Sequence, residues 1–270
     1  MKLTFLGATR QVGKSCVHVQ LNQVRLLMDS GLKIHDGNEA PDLRQHKFDA
    51  AVITHAHLDH SGSTPTLLHY GDAPVFTTFP TIPLTNLLLA DSEKVALRNK
   101  KTLPFSPQDT KRLQKKFFGL PFEHEYEFYD GTRFTLKDAG HIPGSAQVFA
   151  TDGKKSLWYT GDFNTCESRL HSPAVMPEKG VEIDALIIES TYANRDHPPR
   201  EELEKRFCEA VQDELDAGKV VLIPSFAVGR MQEIAQVLNE SKNRVRGEIY
   251  FDGMGTSVNE IVLDFPSYVR

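Results

Sequence analysis

His55-Ala56-His57-Leu58-Asp59-His60 places three imidazoles and one carboxylate within six residues, directly after the apolar run Ala50-Ala51-Val52-Ile53-Thr54. Neutral imidazole nitrogens and carboxylate oxygens are the ligands that hold zinc outside cysteine sites. A loop that leaves a buried strand is held rigidly enough to keep such ligands in place. The expected chemistry is therefore metal binding. Two further segments repeat the pattern of a polar ligand beyond an apolar strand. Ala139-Gly140-His141-Ile142-Pro143-Gly144-Ser145 carries a histidine in a glycine-rich turn, and Leu157-Trp158-Tyr159-Thr160-Gly161-Asp162 ends a strand in a carboxylate. Taken singly, His141 also reads as a turn cap and Asp162 as a turn aspartate. Taken with the cluster, they complete a ligand set for two zinc ions.

That set divides naturally. His55, His57 and His141 would hold one zinc with a position left open for water, as a catalytic site requires. Asp59 and His60 would hold the second, with Asp162 bridging both. Two ions about 3.5–4 Å apart clamp a phosphodiester and generate hydroxide near neutral pH. Asp29 also stands at a strand end, and reads either as a carboxylate orienting a ligand or as a turn residue before Gly31.

The elements that must position these groups are short. Leu3–Leu6, Cys16–Leu21 and Val24–Met28 read as strands, the last two joined by Asn22-Gln23. Ser61–His69 reads as a helix opening on a serine cap, and Leu84–Lys101 and Gln108–Phe118 as helices separated by Pro104 and Pro107. Strands are expected again at Phe128–Tyr129, Arg133–Leu136, Ala146–Ala150, Ser156–Thr160 and Ala185–Ile188. The polar, proline-containing stretch Tyr192–Arg200 marks a linker or domain edge. Beyond it the pattern predicts a helix over Glu201–Ala217, a strand over Val220–Ile223, a helix over Gly229–Asn239 and a strand over Gly247–Phe251, the rhythm of an α/β unit. The expected domains are therefore 1–195 and 196–270.

Composition excludes several classes. The longest apolar runs, such as Val220–Ile223, are far too short to span a bilayer, and the first residues lack the core of a signal peptide. Cys16, Cys166 and Cys208 are odd in number and widely spaced, so neither a disulfide framework nor a cysteine zinc site is expected; a reducing, cytoplasmic setting fits. A formal net charge of −5 argues against a globally basic nucleic-acid binder, though not against a local basic face. Arg98, Lys100, Lys101, Lys111, Arg112, Lys115 and Lys116 are opposed within that stretch only by Asp109, and read as a solvated helix surface or as a phosphate track. Ala8-Thr9-Arg10-Gln11-Val12-Gly13-Lys14-Ser15 approaches a P-loop, but the period-two run Cys16–Leu21 follows it where a helix is required, so a nucleoside-triphosphatase reading is rejected.

Asp29, His55-x-His57-x-Asp59-His60, His141 and Asp162, in this order, resemble motifs one to four of the metallo-β-lactamase superfamily. The resemblance covers about the first 190 residues and implies a four-layer αβ/βα sandwich with metals at one edge of its two sheets. It leaves the substrate open, since one fold hosts many chemistries. Glu189-Ser190-Thr191-Tyr192 resembles motif A of the β-CASP nucleases. The segment from Ile223-Pro224-Ser225-Phe226 through Gly229-Arg230-Met231-Gln232-Glu233 resembles the strand-turn-helix of their inserted domain, and Phe251-Asp252-Gly253-Met254 its next strand. Gly7 and Val12-Gly13-Lys14-Ser15-Cys16 are also similar to this group.

The resemblance implies a zinc ribonuclease of the kind represented by the pre-mRNA 3′-end endonuclease and RNase J. Its partner would be single-stranded RNA, and water held between the metals would leave a 5′-phosphate and a 3′-hydroxyl. Asp59 and Glu189 are the catalytic candidates, Glu189 tuning the acid that protonates the leaving oxygen. Arg230 is a candidate phosphate contact or a structural residue at a helix start. The family's motifs B and C, two further histidines, have no match: His171 and His197 stand in other contexts. The expectation is thus a chain truncated within the β-CASP unit, with a weakened second zinc and reduced activity. A homodimer or an RNA-processing complex would be its assembly. The alternatives are another metallo-β-lactamase-fold hydrolase, of the tRNA-end-processing or thioesterase type, and a non-catalytic subunit of an RNA-processing complex.

Overall fold

Six short strands pair in chain order into one sheet: β1 (Lys2–Phe5), β2 (Val17–Leu21), β3 (Val24–Met28), β4 (Ala50–Val52), β5 (Val75–Thr78) and β6 (Phe117–Leu120). The first three are antiparallel, and β3 through β6 run parallel. A second sheet has the order β11 (Ala185–Ile187), β10 (Ser156–Tyr159), β9 (Ala146–Thr151), β8 (Arg133–Asp138), β7 (Glu125–Glu127). The computed structural model describes residues 1–34, 37–241 and 245–270.

Period-two alternation assigns the faces of the first sheet. Val17, Val19 and Leu21 of β2, Val24, Leu26 and Met28 of β3, and Ala50 and Val52 of β4 point one way, into a core shared with Phe134, Leu136, Val148 and Leu157 of the second sheet. Leu27, Ala51, Ile53 and Val75 point the other way, against Leu89 of α2 (Thr81–Arg98) and Leu113 of α3 (Pro107–Leu113). This is the sandwich the motifs imply, with two facing sheets and helices outside the first. Among the described residues, no helix is long and apolar enough to cross a membrane.

Some expectations need correction. The helix expected over Gln108–Phe118 stops at Leu113, and Phe117 begins β6. The Ser61–His69 helix is two pieces, α1 (Leu58–Ser61) and a 3₁₀ turn (Thr64–His69), because Gly62 and Pro65 interrupt it. The strand expected at Phe128–Tyr129 is displaced to β7, and Tyr129 enters the turn before Gly131. Val220–Ile223 and Gly247–Phe251 are extended but belong to no sheet. Val221 and Ile223 pack into a cluster with Cys208, Val211, Val237 and Leu238, while Val220 and Leu222 are 96% and 87% exposed. The alternation is realised in their side chains without a partner strand for their backbone.

Three helices build the remainder: α4 (Arg200–Asp216), α5 (Arg230–Glu240) and α6 (Gly255–Leu263). Val228, Val258 and Val262 pack with Leu84 and Leu88 of α2 and with Ile142, so α6 and the turn before α5 rest on the metal-proximal end of the sandwich. A buried carboxylate adds to that join. Glu233 accepts hydrogen bonds from the Arg169 and Leu170 backbone N–H groups at 2.8 and 2.9 Å, and pairs with Arg200. Replacing Glu233 by alanine strands those donors and should cost about 3 kcal/mol, a fall in Tm of roughly 5–10 °C. Glu240, which meets Arg169 at 2.5 Å but is about half exposed, should change stability by under about 1 kcal/mol when replaced by alanine. Thermal denaturation of the two variants side by side checks this; equal effects would deny Glu233 its role.

Candidate metal centre

β3, β4, β8, β10 and β11 all present their C-terminal ends to the same edge of the sandwich. β3 and β4 are parallel, as are β10 and β11, and β8 and β10 are each antiparallel to β9. Asp29 follows β3, His55 follows β4, His141 follows β8 and Asp162 follows β10, so one edge collects the candidate site residues from four separate strands. The sequence pattern of a polar residue beyond an apolar run is the signature of that shared edge.

The cluster's backbone is built in. Ser15 and Ser30 N–H groups donate to the Asp59 and His60 carbonyls at 2.8 Å, and Leu32 N–H donates to the Leu58 carbonyl at 2.7 Å. A β-carbon on Gly31 would fall 1.6 Å from the Asp59 carbonyl oxygen, so only glycine lets the loop after β3 approach α1 this closely. Gly161 (φ 53°) takes the left-handed turn that leads to Asp162, with Thr54 packed where a side chain would stand. His141 is fixed by its turn: the His141 and Ile142 N–H groups both donate to Ser145 Oγ at 3.1 Å. Thr78 and Thr81 hydroxyls clamp the Gly144 carbonyl at 2.6 and 3.2 Å.

One ligand atom each from His55, His57, His141 and Asp162 lies within 4.8 Å of the others, and the same holds for Asp59, His60 and Asp162. Asp162 is common to both groups. Its Oδ2 lies 3.9 Å from His55 Nε2 and 3.7 Å from His141 Nε2, while its Oδ1 lies 3.2 Å from His60 Nε2. His141 Nε2 stands 3.3 Å from His57 Nδ1, and Asp59 Oδ2 is 3.7 Å from His60 Nε2. Asp162 thus stands between the two groups of side chains.

Asp29 is fully buried and accepts four hydrogen bonds. Its Oδ1 accepts from Thr54 N–H at 2.7 Å; its Oδ2 accepts from Thr54 Oγ1 at 3.0 Å, Tyr159 OH at 2.8 Å and His60 Nδ1 at 2.7 Å. That fills a carboxylate's capacity. The pattern also assigns tautomers. Because Thr54 Oγ1 gives its proton to Asp29, its 3.0 Å contact with His55 Nδ1 has the imidazole as donor. His55 Nε2 therefore carries a lone pair, whereas His60 donates through Nδ1 to Asp29 and turns Nε2 towards Asp162 Oδ1 at 3.2 Å. Tyr159, Thr54 and Ser15 (3.4 Å from His60 Nε2) were not found from the sequence, since nothing in their spacing separates them from ordinary core residues.

Electrostatics favour neutral imidazoles on one side. Burial, then the neighbouring His60, pushes His55 well below the usual histidine range; burial, then His57, pushes His141 down to about 3. Burial also lowers His57 despite Asp59. For His60, burial acts downward, but Asp29 and Asp162 outweigh it and raise the imidazole well above its ordinary value. Burial would raise Asp162, yet the hydrogen bond and charge of His60, with His55 and His141, hold it far below the carboxylate range.

Among the described residues, His55 Nε2 is buried with no hydrogen-bond partner, and His57 turns its Nδ1 to His141 Nε2 at 3.3 Å. Leaving such a buried atom unsatisfied costs about 1–3 kcal/mol, and a metal ion is the partner this donor set fits: imidazoles and carboxylates, converging from rigid strand ends. Glu189 lies elsewhere in detail. Two residues beyond β11, its N–H donates to Thr160 Oγ1 at 3.3 Å and its carboxylate accepts from Thr191 N–H at 2.7 Å. Arg230 is the exposed first residue of α5.

The model of the metallo-beta-lactamase superfamily matches residues 10–173. A probable RNase, MJ4 of Methanocaldococcus jannaschii, is 37% identical over 269 residues, covering 98% of this chain and 62% of that protein. The transcription termination factor FttA of the same organism is 36% identical over 282 residues, covering all of this chain and 44% of that factor; FttA of Methanothermobacter thermautotrophicus is 37% identical over 284 residues, again with 44% of its length covered. The chain therefore spans about half the length of these curated relatives. A crystal structure of a protein of unknown function from Enterococcus faecalis V583 matches with a TM-score of 0.64 at 14% identity, over 97% of this chain and 67% of that one, a likeness of fold.

Proposed function

Because this chain belongs to the metallo-β-lactamase superfamily, we propose that it carries the metal-binding half of a ribonuclease of the β-CASP group, one that hydrolyses RNA phosphodiester bonds with two zinc ions. The observation that carries the reading is the pair of ligand sets sharing Asp162. A lone structural zinc would need one set only, and a clamp for a phosphodiester needs two. The probable-RNase name of one relative supports RNA as substrate.

His55, His57, His141 and Asp162 would hold one ion, and Asp59, His60 and Asp162 the other. Bound there, the pair supplies an activated water near neutral pH and neutralises charge developing on phosphorus. The chain's own groups prepare for this. Asp29 keeps a proton on His60 Nδ1, and Thr54 keeps one on His55 Nδ1, so that both Nε2 atoms face inward, and that of His60 would give up its proton when an ion binds. Glu189 stands on the same sheet edge and is proposed to tune the acid that protonates the leaving oxygen, after releasing the Thr191 N–H. Arg230, exposed at the start of α5, is proposed to touch phosphate.

The test pairs metal analysis with cleavage. Zinc-reconstituted protein is expected to carry two equivalents by mass spectrometry, the second more weakly held, and to cut end-labelled single-stranded RNA slowly to 5′-phosphate and 3′-hydroxyl ends. Chelation should abolish cutting and lower Tm, because an ion held at a hundred times its Kd stabilises by about 2.7 kcal/mol. Two bound zincs with no cutting of RNA, but turnover of a thioester, would move the reading to another hydrolase of this fold.

A further inference from the structure

The basic stretch left open by its sequence lies at the end of α2 and on α3, which packs against α2. α2 begins at Thr81, whose hydroxyl holds the Gly144 carbonyl of the His141 turn, and ends at Arg98. Its 18 residues carry the chain about 27 Å from that edge at 1.5 Å per residue. α3 then packs against the last turns of α2: Leu113 and Phe105 are buried with Leu89, and Thr110 Oγ1 donates to Glu93 at 2.6 Å. Arg98, Lys100 and Lys101 therefore close α2 at the end away from Thr81, and Lys111 and Lys115 lie on and just beyond the α3 that packs against this helix.

The local acids are spent. Asp109 accepts from Ser106 N–H and Oγ in a capping box and from His69; Asp72 pairs with Lys116 at 2.6 Å. Among the described residues, none of Arg98, Lys100, Lys101, Lys111 and Lys115 has a carboxylate oxygen within 4.0 Å, and all five are exposed. From Asp91 to Lys116, eight lysines and arginines face three acids, a local excess of +5 in a chain whose total is −5. Helix C-termini favour one or two cations in the last turn, for about 0.3–1 kcal/mol each. That accounts for Arg98 and Lys111, but not for Lys100, Lys101 and Lys115 beyond the helix ends.

We propose that Arg98, Lys100, Lys101, Lys111 and Lys115 form a second RNA contact, binding the sugar–phosphate backbone of a single strand whose reacting segment lies at the metal centre. This rests on the RNA reading above. A set of exposed cations suits phosphate rather than base recognition, and would hold RNA through counterion release. A strand of about 4 nucleotides covers about 14 Å at a 3.4 Å rise and cannot reach both places, whereas one of about 16 can.

Fluorescence anisotropy with labelled RNAs of these two lengths tests it, using the full chain and the triple variant Lys100→Glu/Lys101→Glu/Lys115→Glu. The long RNA should bind about 10–100-fold more weakly to the variant, with the log Kd against log salt slope shallower by about 2, and the short RNA unchanged. The milder Lys100→Gln/Lys101→Gln/Lys115→Gln set, which leaves the fold undisturbed, should move in the same direction by a smaller factor. Unchanged affinity and slope for the long RNA in both variants overturns the proposal and turns attention to an acidic protein partner. If the unaltered chain binds long RNA through these residues yet cuts neither length, the hydrolysis reading fails and the backbone contact stands.

Discussion

Asp162→Ala is expected to abolish phosphodiester hydrolysis, by about 10³-fold or more, while leaving RNA bound. The argument is one of ligand arithmetic. Without Asp162, three imidazoles (His55, His57 and His141) still suffice for one zinc, but Asp59 and His60 alone are too few for the second. Zinc content should fall from two equivalents to one, and the loss of one charged partner in the clamp is of the size of losing a transition-state donor or more, about 4 kcal/mol. His57→Ala is the companion from the other set: it too should lose cutting without losing RNA, because the proposed contact through Arg98, Lys100, Lys101, Lys111 and Lys115 is untouched. Mass spectrometry of zinc and single-turnover cleavage decide the matter. Two equivalents retained in Asp162→Ala, with activity within about tenfold, would mean that the two ligand sets are independent and that Asp162 bridges nothing.

Much of this centre was legible because each ligand follows an apolar run, and a sheet edge is where such runs end together. His55–His60 after β4, Asp29 after β3 and Asp162 after β10 could be read in this way. What periodicity does not report is pairing. β5 and β6 were missed because their four-residue segments, Val75–Thr78 and Phe117–Leu120, are bounded by Pro74, Pro80 and Pro121 and include buried threonines and a glycine that look like loop. Val220–Ile223 and Gly247–Phe251 err in the opposite direction: their hydrophobic alternation is genuine, and Val221 and Ile223 use it to pack on α4 and α5, but a strand also needs a neighbour for its N–H and C=O groups. Nor does spacing reveal hydrogen-bond direction. That Tyr159 and Thr54 complete the shell of Asp29 depends on contacts between residues up to 130 positions apart.

Asp29 is where these strands of argument meet, and its substitution by alanine should be the most damaging single change to the fold near the metals. The variant would leave Thr54 N–H, the Thr54 and Tyr159 hydroxyls and the His60 Nδ1 proton without their acceptor in a fully buried place. It would also put alanine at φ 61°, a left-handed conformation that aspartate and asparagine tolerate better. A loss of about 4–5 kcal/mol follows from the buried partners alone. Asp29→Asn separates the two contributions. It keeps the backbone preference and most acceptor sites, so Tm should drop by far less, but its amide carries no charge and offers two donors where only acceptors are wanted. Without the carboxylate, His60 loses the charge that fixes its proton at Nδ1 and so directs Nε2 inward. The second zinc should then bind about 10–100-fold more weakly with the first nearly unaffected, the scale seen when a partner behind a metal-bound histidine is removed. Competition with a chelator, read as two separable zinc affinities, distinguishes this from a general loosening of the site. If asparagine weakens both zincs equally, Asp29 acts through the fold alone, and the tautomer argument is wrong.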